Sequence, residues 1–386
     1  MIPYGRQDIT LEDIDAVVEI LRSDFITQGP TVPRFERTVA SRVKAQHAVA
    51  VNSGTSALHI SCRALGLQAG ERLWTSPVTF VASANCGLYC GATVDFIDID
   101  PRTFNISPDA LEKKLHEADK KQCLPSVVIP VHMCGQSAEM EAIYELSQRY
   151  GFRIIEDASH ALGGRYKGMP VGNCRYSDIT VFSFHPVKII TTAEGGMALT
   201  NDDGLAERMS LMRNHGITRD PAHMTHEPDG PWYYQQIDLG YNYRMTDLQA
   251  ALGISQMARL DRYVTRRNEI ADRYARLLAD LPVTIPYQHP DCYSSWHLYV
   301  IRLQLDKTRN THRRVFEIMR EGGIGVNLHY IPVHTQPYYQ QMGFKYGNFP
   351  EAERYYTEAI TLPIYPTMTE EQQDQVVAAL HRAVAA

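Results

Sequence analysis

Cysteines are few in this sequence, and their spacing suits neither a disulfide framework nor a zinc site. The 386 residues include seven cysteines, with no C-x-x-C pair and no Cys/His spacing typical of zinc. The cysteines are Cys62, Cys86, Cys90, Cys123, Cys134, Cys174 and Cys292. An odd, scattered set indicates free thiols, which pack as small hydrophobes in cytosolic proteins. We therefore expect a cytoplasmic protein that binds no metal.

Long apolar runs and long basic runs are also missing. No stretch reaches the roughly 18 uninterrupted apolar residues of a membrane span, and the first residues do not resemble an export signal. The 38 Lys and Arg residues stand against 44 Asp and Glu residues, for a net charge of −6. The sequence thus predicts neither a membrane nor a nucleic-acid partner.

Short apolar runs alternate with helical periodicity from about residue 48 to residue 201. The runs at 48–51, 93–97 and 127–131 precede helical patterns at 56–65, 108–118 and 140–150. This alternation predicts an α/β fold of βαβ units, with a mostly parallel sheet covered on both faces. Such sheets bind ligands at the carboxyl ends of their strands, so functional residues should follow the apolar runs.

The pattern changes after Gly172. Residues 179–184 and 196–200 are strand-like runs with no room for a helix between them, which predicts a tight connection. Helical periodicity is then nearly continuous from residue 246 to about 281, as in helices that bridge two domains. We place the boundary near residue 255, which gives predicted domains 1–255 and 256–386.

The segment after this boundary is predicted to be a smaller α+β domain. Its predicted strands are 298–303 and 325–330, and its predicted helices are 313–320 and 369–385. Before the boundary, residues 217–236 form the most loop-like insertion. A functional loop and a disordered surface loop both explain that composition.

Small polar residues follow the first apolar run at positions 52–56. In Asn52-Ser53-Gly54-Thr55-Ser56, free backbone N–H groups and the positive end of a helix would face one point beside hydroxyl groups. This is a phosphate site in principle. Ordinary helix capping explains the same residues.

Two ionisable residues follow later strand-like runs. Asp157 ends a run that starts at Arg153; a structural acid that caps a helix or pairs with an arginine is the alternative. Lys188 is followed by a small, polar run at 191–196. A buried lysine loses its proton readily and can form a Schiff base, although a surface lysine is the alternative.

These features together are more specific than each alone. A phosphate site, an anion for a pyridine nitrogen and a Schiff-base lysine are what pyridoxal 5′-phosphate requires. Phe80 follows another apolar run and can stack on the pyridine ring, with a core phenylalanine as the alternative. The sequence therefore predicts pyridoxal phosphate as cofactor.

The same motifs resemble a known family over essentially the whole chain. The sequence resembles the sugar-nucleotide aminotransferases of the DegT/DnrJ/EryC1/StrS family at residues 25–30, 240–244 and 326–330. Residues 182–196 most resemble the members of pseudaminic acid biosynthesis. The resemblance implies a fold-type I, aspartate aminotransferase-like large domain with a mixed, mostly parallel sheet, and a small α+β C-terminal domain. It also implies a homodimer with shared active sites.

The resemblance also implies roles for residues. Lys188 would form the Schiff base, Asp157 would pair with the pyridine nitrogen, and His160 would lie near the phenolic oxygen of the cofactor. The other implied cofactor contacts are Thr55, Ser56 and Ser183 to the phosphate, Phe80 to the ring, and Asn242 from the other subunit. The implied substrate contacts are His185, His329 and Tyr330. His185 departs from the aromatic residue that many members have there.

The implied reaction transfers an amino group from L-glutamate to the C4 keto group of a UDP-linked 4-keto-6-deoxy-N-acetylhexosamine. Arg219 and Arg244 are guesses for binding the nucleotide diphosphate. The alternatives are an aminotransferase of the perosamine or bacillosamine type and a non-catalytic, cofactor-binding sensor. A dehydratase of the same family is disfavoured, because such enzymes typically lack the lysine that stands at position 188.

Overall fold

Seven strands form the central sheet of the protein, whose computed structural model describes residues 1–385. Their order across the sheet is His47–Val51, Gly196–Thr200, Ile179–Ser183, Arg153–Asp157, Val127–Ile129, Arg72–Thr75, Thr93–Phe96. Six strands run in one direction, and Gly196–Thr200 runs against both of its neighbours. The expected mostly parallel sheet is therefore confirmed.

Helices cover both faces of this sheet because the strand residues alternate between two cores. Val49 and Val51 lie in one apolar cluster with the helix Gly54–Ala64, whereas Ala50 lies in another with the helix Thr31–Val43. The helices before residue 260 are Leu11–Leu21, Thr31–Val43, Gly54–Ala64, Ala82–Tyr89, Pro108–Lys120, Met140–Tyr150, Asp203–Met212 and Asp247–Met257, with 3-10 turns at Met133–Gly135 and Pro221–His223.

Part of the remaining chain forms a second, smaller core, whereas residues 333–355 pack against the core of the central sheet. The long helix Leu260–Leu277 leads to an antiparallel sheet in the order Val283–Thr284, Tyr299–Leu303, Ala359–Leu362. The other elements here are the helices His312–Glu321, Pro337–Gln340, Pro350–Glu358 and Glu370–Ala385, the 3-10 turn Val333–Thr335 and the strand Ile324–Gly325. Ile301 and Leu362 of this sheet pack with Val376 of the last helix.

Two short strand pairings connect distant parts of the chain, and a third is a local hairpin. Ile2–Pro3 pairs in parallel with Ile324–Gly325. Arg165–Tyr166 pairs with both Met169–Pro170 and Cys292–Tyr293. The first pairing crosses the predicted boundary near residue 255, which falls in the last turn of Asp247–Met257. The division into 1–255 and 256–386 stays a prediction.

Three segments differ from the sequence-based expectation or refine it. The helical pattern from 246 to 281 contains two helices, which break at Ala258 and Arg259. The strand predicted at 325–330 does not form as a continuous strand. Pairing there is limited to Ile324–Gly325 and an isolated bridge from Asn327 to Thr361, and His329 and Tyr330 line a cavity. The insertion at 217–236 is closed by an antiparallel pair, Ile217–Thr218 with Gln235–Gln236.

Within residues 1–385, no helix combines the length and the apolar character of a membrane span.

Candidate functional site

A cavity of about 390 Å³ opens at the carboxyl ends of the central strands. Nine residues predicted for the site line it: Thr55, Phe80, Asp157, His160, Ser183, His185, Lys188, His329 and Tyr330. Loops that follow five strands of the sheet reach this cavity, as expected for a mostly parallel sheet.

The helix Gly54–Ala64 points its amino end at the cavity. Ser53 is its N-cap, and the Ser56 backbone N–H donates to the Ser53 hydroxyl at 3.1 Å. The first N–H groups of a helix have no partner within the helix, and its dipole is positive at this end. Thr55 in that turn therefore lies where an anion such as a phosphate is favoured.

Two glycines let this helix end approach the sheet closely. A Cβ atom at Gly196 would lie 2.3 Å from the Ser53 carbonyl oxygen, and one at Gly54 would lie 3.0 Å from the Ser183 Cβ. No side chain fits at the first position without moving backbone. The close approach brings Ser183 and the first helical turn to the same wall of the cavity.

Asp157 is buried at the end of its strand and hydrogen-bonded on both oxygens. The Ser83 hydroxyl donates to its Oδ2 at 2.6 Å, and the Ser159 backbone N–H donates to its Oδ1 at 3.1 Å. These two donors fix the direction of the carboxylate. The cavity thus presents a buried, well-oriented carboxylate at Asp157.

Lys188 lies on the cavity in a loop whose turn is closed by its own backbone N–H, which donates to the His185 carbonyl at 2.9 Å. Burial lowers the pKa of its amine to about 8, against an opposing effect of the Asp157 charge. A lysine with such a pKa is partly neutral near pH 7, and the neutral amine is both a nucleophile and a base.

Three aromatic side chains pack together beside these charges. His160 Nε2 and the Tyr330 hydroxyl are 3.1 Å apart, and the His160 and His297 rings have centroids 4.4 Å apart. Burial, and then the nearby Lys188 charge, holds the pKa of His160 well below its usual range, so its imidazole is neutral. Its Nδ1 is buried without a partner among residues 1–385.

His329 and Phe80 form further parts of the lining. His329 Nδ1 lies 2.9 Å from the Thr361 hydroxyl, and burial lowers the pKa of His329 to about 3. The Phe80 ring is 58% exposed and lies 6.3 Å from the Tyr330 ring. An aromatic face that is open at a cavity can stack on a planar ligand.

Ser56 and Asn242, which were predicted to contact the cofactor, do not line the cavity of their own chain. The Ser56 hydroxyl donates to Asn52 Oδ1 at 2.7 Å, and the Asn52 side-chain amide donates to the Asn242 carbonyl at 3.4 Å. Of the two arginines guessed for the diphosphate, Arg244 donates to Asn214 Oδ1 at 2.7 Å, and Arg219 stacks over Tyr234. A role for Ser56 or Asn242 in cofactor binding stays a prediction.

The sequence motifs do not predict three residues that contribute to the site. Tyr4 and His297 line the cavity, and Ser83 orients Asp157. Tyr4 stands before any recognisable motif, and Ser83 looks like an ordinary helix residue. His297 directly precedes a predicted strand, and no motif spacing marks it as functional.

A model of the DegT/DnrJ/EryC1/StrS aminotransferase family matches residues 7–381. The chain belongs to this family. Aminotransferases of this family depend on pyridoxal phosphate, and their fold-type I architecture confirms the expected fold class.

Relatives of this aminotransferase are similar over nearly their whole length. The spore coat polysaccharide biosynthesis protein SpsC of Bacillus subtilis is 40% identical over 99% of this chain and 97% of its own. Helicobacter pylori PseC, an aminotransferase of pseudaminic acid biosynthesis, superposes with a TM-score of 0.91 at 30% identity, over 99% of each chain. The putative sugar aminotransferase Spr1654 of Streptococcus pneumoniae, in its pyridoxal phosphate form, gives 0.87 at 29% identity, over 99% of this chain and 98% of its own.

The cavity of this aminotransferase fits the cofactor of the family. It presents a helix amino end to an anion, a buried carboxylate to a cationic ring nitrogen, and a readily deprotonated lysine to an aldehyde. The unpartnered Nδ1 of His160 and the open face of Phe80 are features that a polar, planar ligand would satisfy. No cluster of metal-ligating side chains occurs in the described part of the chain.

Proposed function

We propose that this protein is a pyridoxal phosphate-dependent sugar-nucleotide aminotransferase. It transfers the amino group of L-glutamate to the C4 keto group of a UDP-linked 4-keto-6-deoxy-N-acetylhexosamine and forms a 4-amino sugar nucleotide. The observation that carries this proposal is the Lys188 amine, partly buried and with a lowered pKa, in one cavity with Asp157 and a helix amino end.

The sugar substrate is supported by the relatives. PseC takes part in pseudaminic acid biosynthesis, and SpsC in the synthesis of a coat polysaccharide. The motif at residues 182–196 resembles the UDP-4-amino-4,6-dideoxy-N-acetyl-β-L-altrosamine transaminases of the first of these pathways. We therefore assign the pseudaminic acid type ahead of the perosamine and bacillosamine types.

The residues that would hold the cofactor lie on the sheet side of the cavity. The first turn of Gly54–Ala64, with Thr55 and Ser183, would bind the phosphate, and Phe80 would cover the ring. Pyridoxal phosphate, when bound, supplies an aldehyde that receives the amino group and a ring that spreads negative charge. Asp157 would stabilise a proton on the ring nitrogen, because its carboxylate is already fixed by Ser83 and Ser159.

Lys188 is the proposed base of both half-reactions. Its neutral Nζ would take the proton from Cα of glutamate in the first half and return a proton to C4 of the sugar in the second. Burial favours the neutral amine over the charged form, which lets one lysine act near pH 7 as base and, once protonated, as acid.

We propose a homodimer in which each subunit completes the site of the other. Asn242 would reach the phosphate of the partner's cofactor, since it lies off the cavity of its own chain. Trp232 and Leu239, in the segment before Asn242, are 72% and 64% exposed, and large exposed apolar side chains favour burial at an interface. The cytoplasm is the proposed location.

A spectroscopic titration tests the proposal. The purified protein, reconstituted with pyridoxal phosphate, should show a yellow absorbance band that L-glutamate converts to the colourless pyridoxamine form. A UDP-linked 4-keto-6-deoxy-N-acetylhexosamine should then restore the band and yield a 4-amino sugar, whose C4 configuration can be read by NMR. Lys188→Ala is the matched control and should show neither change.

Each failure of the titration has a distinct meaning. A protein that binds no cofactor, or a yellow band that glutamate does not change, would contradict the transaminase assignment and favour a sensor. A response to glutamate without a response to the keto sugar would contradict the proposed acceptor alone. Perosamine-type and bacillosamine-type 4-keto sugar nucleotides would then be tried in the same assay.

A further inference from the structure

Tyr4 lies in the lining of the cavity, although it comes from the first residues of the chain and belongs to no motif discussed above. It shares this lining with Lys188, His185, His329 and Tyr330. None of the proposed chemical roles uses it. Tyr4 therefore lies in the same cavity as Lys188, although 183 residues separate them in the sequence.

The backbone of Tyr4 is held on both sides. Ile2–Pro3 pairs in parallel with Ile324–Gly325, and the Ile364 N–H donates to the Tyr4 carbonyl at 3.0 Å. A Cβ atom at Gly325 would lie 2.9 Å from the Ile2 carbonyl oxygen, so the two strands approach at a position that only glycine allows. Tyr4 is therefore presented to the cavity by fixed backbone and not by a free terminus.

The side chain lies between the substrate wall and the lysine loop. The Tyr4 ring is 5.0 Å from the His329 ring. At the adjoining Gly5, a Cβ atom would lie 3.7 Å from Val187 Cβ, which places this segment against the residue that precedes Lys188. Tyr4 and His329 thus form a continuous aromatic surface within the cavity.

The two rings differ in what their polar atoms can still bind. His329 uses Nδ1 toward Thr361 at 2.9 Å and Nε2 toward Asn327 at 3.4 Å. Burial alone raises the pKa of the half-buried Tyr4 hydroxyl, and no hydrogen-bonding group among residues 1–385 acts on it. The Tyr4 hydroxyl is therefore available to a ligand, whereas the imidazole is occupied by the protein.

We infer that Tyr4 is a specificity-determining residue that binds the acceptor sugar nucleotide, with its ring packed on the sugar and its hydroxyl hydrogen-bonded to it. An uncharged phenol suits a hydroxyl, acetamido or phosphate oxygen of such a substrate. It offers no counter-charge to the two carboxylates of glutamate. This inference rests on the proposed function and adds a residue that separates the two substrates.

The test measures the two half-reactions separately in the holoenzyme. Tyr4→Phe keeps the ring and removes the hydroxyl, so it should raise the KM for the UDP-linked 4-keto-6-deoxy-N-acetylhexosamine about tenfold. Its rate of conversion by L-glutamate should stay within about twofold of the wild type. Tyr4→Ala should raise the same KM further. Tyr144→Phe, which removes a hydroxyl from the outer helix Met140–Tyr150, is the matched control and should change neither half-reaction.

Binding of UDP-N-acetylglucosamine gives a second readout that needs no turnover. Its inhibition constant against the keto sugar should rise in Tyr4→Phe by a factor similar to the rise in KM. If the wild type turns over both substrates but the Tyr4 variants leave this KM unchanged, or slow both half-reactions equally, the inference is wrong and the proposed function stands. If wild-type protein does not respond to glutamate at all, the proposed function fails and the inference fails with it.

Discussion

The two sides of the cavity are built in different ways. The side we call the floor consists of Thr55, Asp157, Ser183 and Lys188, which lie at or shortly after the carboxyl ends of strands of the central sheet. The side we call the wall consists of Tyr4, His297, His329 and Tyr330, which come from distant segments with little regular structure. The register of a buried sheet fixes the floor, whereas the wall can change without disturbing that sheet.

The hydrogen bonds of the two sides show the same difference. In the floor, the Asp157 backbone N–H donates to the Pro130 carbonyl at 2.9 Å, at the carboxyl end of the sheet. In the wall, His329 depends on side chains, with Thr361 at its ring and the Tyr355 hydroxyl at its carbonyl. We therefore expect changes in the floor to affect all chemistry, and changes in the wall to affect one substrate.

The largest expected effect is that of Lys188→Ala in the floor. Loss of the amine removes both the nucleophile and the base, so the rates of both half-reactions should fall by at least about 10⁴-fold. The yellow band should also be lost, as absorbance spectra will show. Lys113→Ala, an exposed lysine of the helix Pro108–Lys120, is the control. A yellow and active Lys188→Ala protein would mean that another amine serves the site.

The second largest effect is expected for Asp157→Asn. The amide keeps the size of the side chain but not its charge, so cofactor should remain bound while proton transfer slows by roughly 10²–10³-fold in both halves. Stopped-flow absorbance measures this rate. Asp178→Asn, at the start of the neighbouring strand, removes a carboxylate far from the cavity and serves as control. Unchanged turnover in Asp157→Asn would show that a different group supports the ring nitrogen.

The floor could be predicted from the sequence, and the wall could be predicted only in part. Asp157 ends one strand-like run and Lys188 comes shortly after another, and parallel strands bring such positions to one edge whatever the details of packing. His329 and Tyr330 were assigned by resemblance, while the strand predicted through them does not form. Residues 326–330 would show the same apolar pattern whether they paired in a sheet or lined a cavity.

Long-range contacts explain what the sequence could not show. Tyr4 reaches the site because Ile2–Pro3 pairs with a strand more than 300 residues away, and Ser83 reaches Asp157 across 74 residues. Neither contact shows a local sequence pattern. The strand Ile2–Pro3 is too short for periodicity, and the Ser83–Asp157 contact is a single side-chain hydrogen bond. The break at Ala258 and Arg259 was missed for the opposite reason, because helical periodicity continues across it.

The third prediction concerns stability and again the floor. Burial lowers the pKa of Lys188 to about 8 in the folded state, against 10.5 in the unfolded chain. Below pH 8 the fold buries a charged amine at a cost, and this cost disappears as the pH rises from about 8 toward 10.5. The free energy of unfolding of cofactor-free protein should therefore gain up to about 3 kcal/mol over this window relative to Lys188→Met.

Urea unfolding of the two proteins at several pH values measures this difference. Lys113→Met, at an exposed lysine, should keep the pH dependence of the wild type. A difference between wild type and Lys188→Met that does not change from pH 7 to pH 10.5 would show that Lys188 is not titrating in this window.

The smallest expected effect lies at the junction of floor and wall, in Tyr330→Phe. The lost hydroxyl leaves His160 Nε2 buried without its partner at 3.1 Å, which should cost about threefold to tenfold in rate. Because Tyr330 belongs to the wall, we expect the loss to fall on the keto-sugar half-reaction and to leave the glutamate half-reaction unchanged. Tyr339→Phe is the control, because the Tyr339 hydroxyl donates to Asn85 Oδ1 away from the cavity. An equal loss in both half-reactions, measured by stopped-flow absorbance, would instead show that Tyr330 acts through His160, and the boundary between the two sides would then run between Tyr330 and His329.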